Sequence, residues 1–205
     1  MSHPGVYTIG HSTHPIERFI QLLRGHAITA LADVRSAPYS RMNPQFNREP
    51  LEEALKEAGI SYVFLGEELG ARSKDPSCYR RGKVDYELLA RTELFQSGLE
   101  RVRNGARTHR IALMCAEKDP LDCHRTILVA RNLVEQGLPV SHILSDGSVE
   151  NHDQSISRLM RMLRIGEDDL FRPREDAIRD AYRKRGEAIA YEAHGDQTKQ
   201  SAKVL

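Results

Sequence analysis

Residues 111–133, IALMCAEKDPLDCHRTILVARNL, join an apolar run to an amphipathic helical pattern through a short polar loop. The run HRIALMC is typical of a strand, and Ile127, Ala130, Leu133 and Val134 share one face of the following helix. A buried strand followed by a helix is the repeating unit of a parallel α/β sheet. The loop between them holds two cysteines, a histidine, an arginine and four other charged residues, so it is the first place to look for function.

The same alternation of strands and helices extends in both directions from this unit. The predicted strands are VYTIG, ITALADVR, ISYVFLG, HRIALMC and VSHIL, and the clearest intervening helices are HSTHPIERFIQLLRGH and PLEEALKEAG, the first capped by Ser12 or Thr13. A polar insertion over 67–82 and a helical stretch over 84–103 precede the fourth strand. The apolar strands predict a three-layer, Rossmann-like α/β fold with a parallel sheet of about five strands and helices on both faces.

Three regions are expected along the chain. Residues 1–147 form the α/β domain, 148–195 form a charged helical appendage packed on it, and 196–205 form a flexible tail. A length of 205 residues allows one substantial core. The role of the C-terminal helices and the oligomeric state are left open.

Composition limits the classes of partner. A net charge of +1, with 40% hydrophobic and 29% charged residues, predicts no global attraction to nucleic acid or to a membrane. The absence of a signal-like N-terminus and of an apolar run near 20 residues predicts a cytoplasmic protein. Three cysteines favour reduced thiols over a disulfide framework. No G-x-G-x-x-G follows any strand, and the cofactor stays unknown.

Polar residues follow several strands at the point where each strand ends. His11 and Ser12 follow the first strand, the segment DVRSAPYSR follows the second, and CAEKDPLDCHR follows the fourth. The commonest strand order for this sequence of elements, 3-2-1-4-5, places strands one and four side by side. Because ligands bind outside the carboxyl ends of such strands, a crevice is expected there. The helix beginning near Cys123, with Arg125 in its first turn, favours an anion.

These segments carry a family resemblance. YTIGHS, ADVRSAPYSR, QFNREPLEEALKEAGISYVFLGEELG and CAEKDPLDCHR occur in the order typical of the domain of unknown function 488 family, and the chain resembles that family from about Tyr7 to Ile143. The resemblance implies an α/β fold and indicates which residues form a site. It implies no agreed reaction or substrate.

Three residues are the catalytic candidates. His11 lies between a strand and a helix and is the leading acid/base group, Glu117 is a general base or an arginine partner, and Cys123 has the better thiolate environment of the two loop cysteines. Cys115 has no arginine six positions later, as a cysteine phosphatase would need, and fits a small buried residue.

The remaining candidates are substrate-binding residues, each with a structural alternative. Asp33 and Arg35 bind substrate or neutralise each other, Ser12 contacts phosphate or caps a helix, and His124 contacts substrate or holds the turn. Ser40, Arg41 and Arg125 are anion contacts, and His142 is expected in the core.

A metal site is not expected from the sequence. His11, His14, Cys115, Cys123 and His124 match no recurrent zinc-binding spacing, and a neighbouring arginine opposes a dication. The leading functional hypothesis is an enzyme acting on a phosphate-bearing substrate, either a phosphorylated small molecule such as a nucleotide or a nucleic-acid component. The first alternative is a thiol-based, sulfurtransferase-like enzyme that uses Cys115 or Cys123. The second is a non-enzymatic module that binds nucleic acid or protein.

Overall fold

The computed structural model describes residues 5–166 and 173–193 and contains eight strands. In chain order the strands are β1 (Val6–Gly10), β2 (Ala30–Asp33), β3 (Ser61–Phe64), β4 (Tyr79–Arg80), β5 (Lys83–Val84), β6 (Ile111–Cys115), β7 (Val140–Ile143) and β8 (Val149–Asn151). Six of them form one sheet in the order β3-β2-β6-β1-β7-β8, and β4 and β5 form a separate hairpin. Five strands of the large sheet are parallel and β8 is antiparallel at one edge.

The helices surround this sheet. They are α1 (Ile16–Gly25), α2 (Arg48–Glu57), α3 (Gly66–Leu69), α4 (Tyr86–Ala90), α5 (Glu93–Gly105), α6 (Arg131–Glu135), α7 (His152–Met162) and α8 (Arg174–Ile189). A π-helix, Arg125–Ala130, leads into α6. Two apolar clusters lie on opposite faces of the sheet, one containing α1 and α2 and the other containing α5 to α8. The predicted three-layer α/β fold is therefore confirmed.

The predicted strand order is wrong in one respect. Strands β1 and β6 are parallel neighbours as expected, with Gly10 opposite Cys115, but β6 also pairs with β2, with Asp33 opposite Met114. All five residues of β6 are buried, which is expected for the central one of the five parallel strands. Strand β1, in contrast, leaves Tyr7 partly exposed. The loop after β6 consequently lies between the ends of β1 and β2.

Several predicted boundaries also change. Thr92 accepts a hydrogen bond from the backbone N–H of Phe95 and starts a new helix, which divides the predicted 84–103 stretch into α4 and α5. Helix α1 begins after Pro15 without a side-chain cap, so the predicted cap by Ser12 or Thr13 is absent. The segment after Cys115 forms a 3₁₀ turn at Pro120–Asp122 before the π-helix.

The chain beyond β7 is continuous with the main core. Strand β8 extends the sheet past residue 147, the expected end of the α/β domain. Buried residues of α7 and α8 belong to the same apolar cluster as α5: Ile156, Leu159, Met160, Ala177, Ala181 and Tyr182. The expected tail, 196–205, lies outside the described residues. Within 5–166 and 173–193, no helix combines the length and apolar character needed to cross a membrane.

A chain of hydrogen bonds links β1 to α8 through two buried histidines. His142 Nδ1 lies 2.8 Å from Thr8 Oγ1, and His142 Nε2 lies 3.1 Å from His152 Nδ1. His152 Nε2 lies 2.7 Å from the Tyr182 hydroxyl. His142 thus occupies the core position expected for it. Burial lowers the pKa of His152 to about 4 and that of His142 well below its usual value.

These lowered pKa values make the stability of the protein depend on pH. The unfolded chain binds protons on these histidines below about pH 6.5 while the folded protein does not, so stability is complete above that pH and falls toward pH 4. Each histidine contributes a slope of about 1.4 kcal/mol per pH unit in this range. We expect His152→Gln to reduce the slope by about one such increment in urea unfolding between pH 7.5 and 5. His109→Gln, at an exposed position, is the control, and an unchanged slope for His152→Gln would contradict the assignment.

Candidate active site

A crevice of about 310 Å³ lies at the carboxyl ends of β2 and β6. Four of the predicted site residues line it, namely Arg35, Glu117, Cys123 and His124, and Cys115 joins them. His11, Ser12, Asp33, Ser40, Arg41 and Arg125 are not among its lining residues. The structure therefore brings four of the ten predicted site residues, together with Cys115, to one crevice.

The floor of the crevice consists of two cysteines and a histidine. Cys115 ends β6, and the turn that follows brings Cys123 and His124 back to it, helped by Asp119, whose carboxylate accepts from the backbone N–H of Leu121 at 2.8 Å. His124 Nδ1 lies 3.7 Å from each of the two sulfur atoms. All three side chains are almost fully buried, so they are held in place by packing as well as by the turn.

A backbone contact fixes the orientation of the imidazole. His124 Nε2 lies 3.0 Å from the carbonyl oxygen of Val34, directly after β2. The carbonyl can only accept, so Nε2 carries the hydrogen and the lone pair of Nδ1 points toward the sulfurs in the neutral ring. This contact joins the turn after β6 to the end of β2, and a substrate contact by His124 stays a prediction.

The two thiols interact with each other and differ in pKa. The hydrogen bond to Cys123, together with burial, holds the pKa of Cys115 well above its usual value. Burial also acts to raise the pKa of Cys123, but the hydrogen bond from Cys115 and the charges of Arg125 and His124 outweigh it and lower that pKa. Nearby Cys123 raises the pKa of His124 in turn, against the effect of its burial. The floor can therefore hold negative charge on sulfur.

Glu117 supplies a carboxyl group above this floor. Much of its side chain is exposed, yet the crowded surroundings of the carboxyl group raise its pKa, and Cys123 adds to the effect. Its expected pairing with Arg35 or Arg125 does not occur through the carboxylate. A carboxyl group with a raised pKa at a crevice wall is suited to proton transfer.

Arg125 is fully enclosed and holds the loop after β6. Its guanidinium donates to the backbone carbonyls of Glu117 at 2.8 Å and of Lys118 at 3.3 Å. The same carbonyl of Glu117 would lie 1.9 Å from a Cβ atom at Gly10, so only glycine fits below the loop. In this structure Arg125 acts on the backbone of the loop, which differs from the anion contact expected for it.

Arg35 is also engaged by protein groups. Its guanidinium forms a buried ion pair with Asp33, with Nη2 2.6 Å from Oδ2 and Nε 2.9 Å from Oδ1, and donates to the carbonyl of Phe46 at 2.8 Å. Tyr62 donates a further hydrogen bond to Asp33 at 3.0 Å. The alternative in which Asp33 and Arg35 neutralise each other is the one observed.

His11 lies beneath the crevice in an enclosed position. It stacks on Phe46 with 4.4 Å between ring centroids, its Nδ1 is 2.8 Å from the Ser12 carbonyl, and its Nε2 is 3.4 Å from Arg35 Nη1. Burial lowers its pKa to about 4, so the ring is neutral at neutral pH. Both nitrogens contact protein groups, and the acid/base role of His11 stays a prediction.

The remaining predicted contacts lie away from the crevice. Ser12 has a positive φ of 48° in the turn after β1. Ser40 Oγ accepts from the backbone N–H groups of Met42 at 3.2 Å and Asn43 at 3.3 Å, which is a turn contact. Arg41 is exposed.

The lining residues outside the predicted candidates include Arg72, Tyr86, Ile189 and Tyr191. The chain after α8 reaches the crevice because it pairs with the β4–β5 hairpin, where the Val84 N–H donates to the Tyr191 carbonyl at 2.9 Å. The Arg72 guanidinium lies 4.7 Å from the centroid of the Tyr191 ring. No spacing in the sequence relates residues 72, 86 and 191, so this wall had no local signal.

The fold and the site define a class of three-layer α/β protein. Its crevice lies at the ends of the central parallel strands and contains two thiols, an imidazole and a carboxyl group. The family model described as "Domain of unknown function DUF488" matches residues 15–132, more than half of the chain. The protein belongs to this family, as its motifs indicated. No curated protein matches the chain in a sequence search.

The contacts of Arg125 predict a structural effect of its removal. We expect Arg125→Ala to destabilise the protein by roughly 1–3 kcal/mol for each carbonyl left without a donor, with a further loss from the cavity. Urea unfolding of the variant measures this, and Arg107→Ala, on the exposed surface, should change stability by less than about 0.5 kcal/mol. An Arg125→Ala protein of unchanged stability that has lost affinity for phosphorylated ligands would instead support the anion-binding role.

Proposed function

We propose that the protein is an enzyme that acts on a phosphate-bearing substrate, a nucleotide or nucleic-acid component, in the crevice at the ends of β2 and β6. The observation that carries this proposal is the lining of the crevice, where the Glu117 carboxyl group shares one enclosed space with tyrosine rings and an arginine. Such a combination of one proton-transfer group, apolar rings and a few polar contacts is typical of small-molecule sites.

The tyrosines suit a flat heterocyclic base. Tyr39, Tyr86 and Tyr191 all line the crevice, and aromatic side chains stack on bases of any sequence. We assign the phosphate contact to Arg72, because the guanidinium groups of Arg35 and Arg125 already have protein partners. Arg72 is exposed at the crevice and lies over the Tyr191 ring. Glu117 lines the same crevice and is the candidate for proton transfer.

Ligand-dependent stability tests this proposal. Nucleoside phosphates, the corresponding nucleosides and inorganic phosphate are added separately during thermal unfolding. A bound nucleotide at a hundredfold excess over its dissociation constant raises the free energy of unfolding by about 2.7 kcal/mol. We expect Arg72→Ala to weaken binding of the phosphorylated ligand about tenfold or more, because a hydrogen bond to a charged group is lost. Arg91→Ala, another exposed arginine, should bind as the unmodified protein does.

A second variant separates binding from catalysis. Glu117→Gln should keep nucleotide affinity while lowering turnover of the identified ligand by about 10²–10⁴-fold, the usual contribution of an acid/base group. Glu53→Gln, on the exposed surface of α2, is the matched control. The proposal fails if no phosphorylated compound in the panel stabilises the protein, or if Glu117→Gln turns over its ligand normally.

One observation favours the thiol-based alternative as a second candidate. Two sulfurs and an imidazole lie together at the floor of a crevice that is open to small molecules. In that reaction the Cys123 thiolate would attack the outer sulfur of a donor such as thiosulfate, and sulfite would leave with the bonding electron pair. A mass gain of one sulfur atom on Cys123, absent from Cys123→Ser, would support it, and an unchanged mass would exclude it for this donor.

A further inference from the structure

Three atoms at the crevice floor have the spacing of metal ligands. The Sγ atoms of Cys115 and Cys123 and the Nδ1 atom of His124 all lie within 4.8 Å of one another. Each sulfur is 3.7 Å from Nδ1. Zinc–sulfur bonds of about 2.3 Å and zinc–nitrogen bonds of about 2.0 Å, at tetrahedral angles, separate sulfur from nitrogen by about 3.5 Å and two sulfurs by about 3.8 Å. The two sulfur–nitrogen distances are therefore within a few tenths of an ångström of those in a coordination site, and the sulfurs, which lie within 4.8 Å of each other, would need to approach by no more than about 1 Å.

The surroundings of the cluster are those of a metal-binding histidine and thiolate. Metal-ligating histidines donate their second ring N–H to a carboxylate, a backbone carbonyl or water, and His124 Nε2 meets the Val34 carbonyl at 3.0 Å. The backbone N–H of Arg125 donates to Cys123 Sγ at 3.4 Å, which supports negative charge on that sulfur. Both contacts come from backbone atoms of the sheet edge and the helix start, so the ligand atoms are held before any ion arrives.

The charges at the site balance around a dication. The thiols of Cys115 and Cys123 lose their protons to solvent on binding, and two thiolates neutralise two positive charges. The nearby guanidinium of Arg125, which argued against a metal in the sequence, is directed to the carbonyls of Glu117 and Lys118.

We propose that Cys115, Cys123 and His124 bind one divalent transition-metal ion of the zinc type at the floor of the crevice. Two thiolates and an imidazole suit zinc among the common biological dications. Three protein ligands leave a fourth position for water or substrate, and that position opens into the crevice because all three ligand residues line it. With both sulfurs bound to the ion, the proposed attack of a free Cys123 thiolate on thiosulfate would require the metal-free protein.

Metal titration of the full-length protein tests the site without any substrate. After removal of metal with EDTA, Zn²⁺ is titrated against a chromophoric chelator, and we expect one ion per chain. Cys115→Ser, Cys123→Ser and His124→Gln should each weaken binding by at least about 100-fold, since loss of an outer contact alone costs about 10–100-fold. Cys78→Ser and His109→Gln are the matched controls, because these residues lie outside the cluster, and both should bind zinc as the unmodified protein does.

Cobalt replaces the variants if any of them fails to fold. Co²⁺ bound to the unmodified protein should give a thiolate charge-transfer band and the strong visible bands of a tetrahedral site. Zinc binding no tighter than in the three ligand variants, or a cobalt spectrum without thiolate bands, would overturn the proposal. The metal site and the proposed function can fail independently. If the protein binds one zinc ion but no nucleotide, only the proposed function is wrong. If the protein binds nucleotide but takes up no zinc, only the metal site is wrong.

Discussion

The arrangement of the crevice depends on the path of the backbone just after β6. The Glu117 carbonyl turns inward over Gly10, where a side chain would have no room, and Arg125 donates to it from below. Two further hydrogen bonds hold the adjoining turn, from the N–H of His11 to the Cys115 carbonyl and from that of Ser12 to the Ala116 carbonyl, both at 2.9 Å. Turning this carbonyl inward leaves the Glu117 side chain on the crevice side. A buried guanidinium is costly unless its N–H groups find acceptors. The Glu117 and Lys118 carbonyls accept from Nη1 and Nη2 of Arg125, while its buried Nε has no hydrogen-bond partner among the described residues.

The C-terminal helices hold the far part of the same loop. Arg158 of α7 donates to Asp119 at 2.8 Å and to Glu150 at 3.0 Å, and Arg185 of α8 pairs with Asp122 and donates to the Leu121 carbonyl at 2.9 Å. Partly exposed ion pairs contribute little stability individually. Their effect here is positional, because the same docking brings Tyr191 to the crevice. The charged helices that the sequence described as an appendage thus complete the site.

The sequence predicts those features of the structure that depend on residues close together in the chain. Alternating apolar strands and amphipathic helices reveal the layers, and GHS, DVR and the CAEKDPLDCHR loop reveal the edge of the sheet that carries the site. The order of β1 and β6 could not be predicted, since both strands are apolar and short. The protein partners of Arg125 could not be predicted, because burial and carbonyl acceptors are properties of the folded chain. Tyr191 reaches the crevice only through tertiary packing.

The cluster of Cys115, Cys123 and His124 shows the same limit in its chemistry. The spacing of its three residues in the sequence fits no recurrent zinc motif. Cys115 lies at the end of a strand, seven residues separate it from Cys123, and Cys123 and His124 lie just before a helix. In the fold, two sulfurs and a nitrogen lone pair surround one small buried space. Lone pairs that converge away from water need positive charge between them, supplied either by shared protons or by a cation. Two thiol protons can satisfy this cluster through a chain in which Cys115 donates to Cys123 and Cys123 donates to the Nδ1 lone pair of His124. A single dication would instead hold all three atoms at once without any proton, and the sulfur–nitrogen distances of 3.7 Å are close to those of such a site.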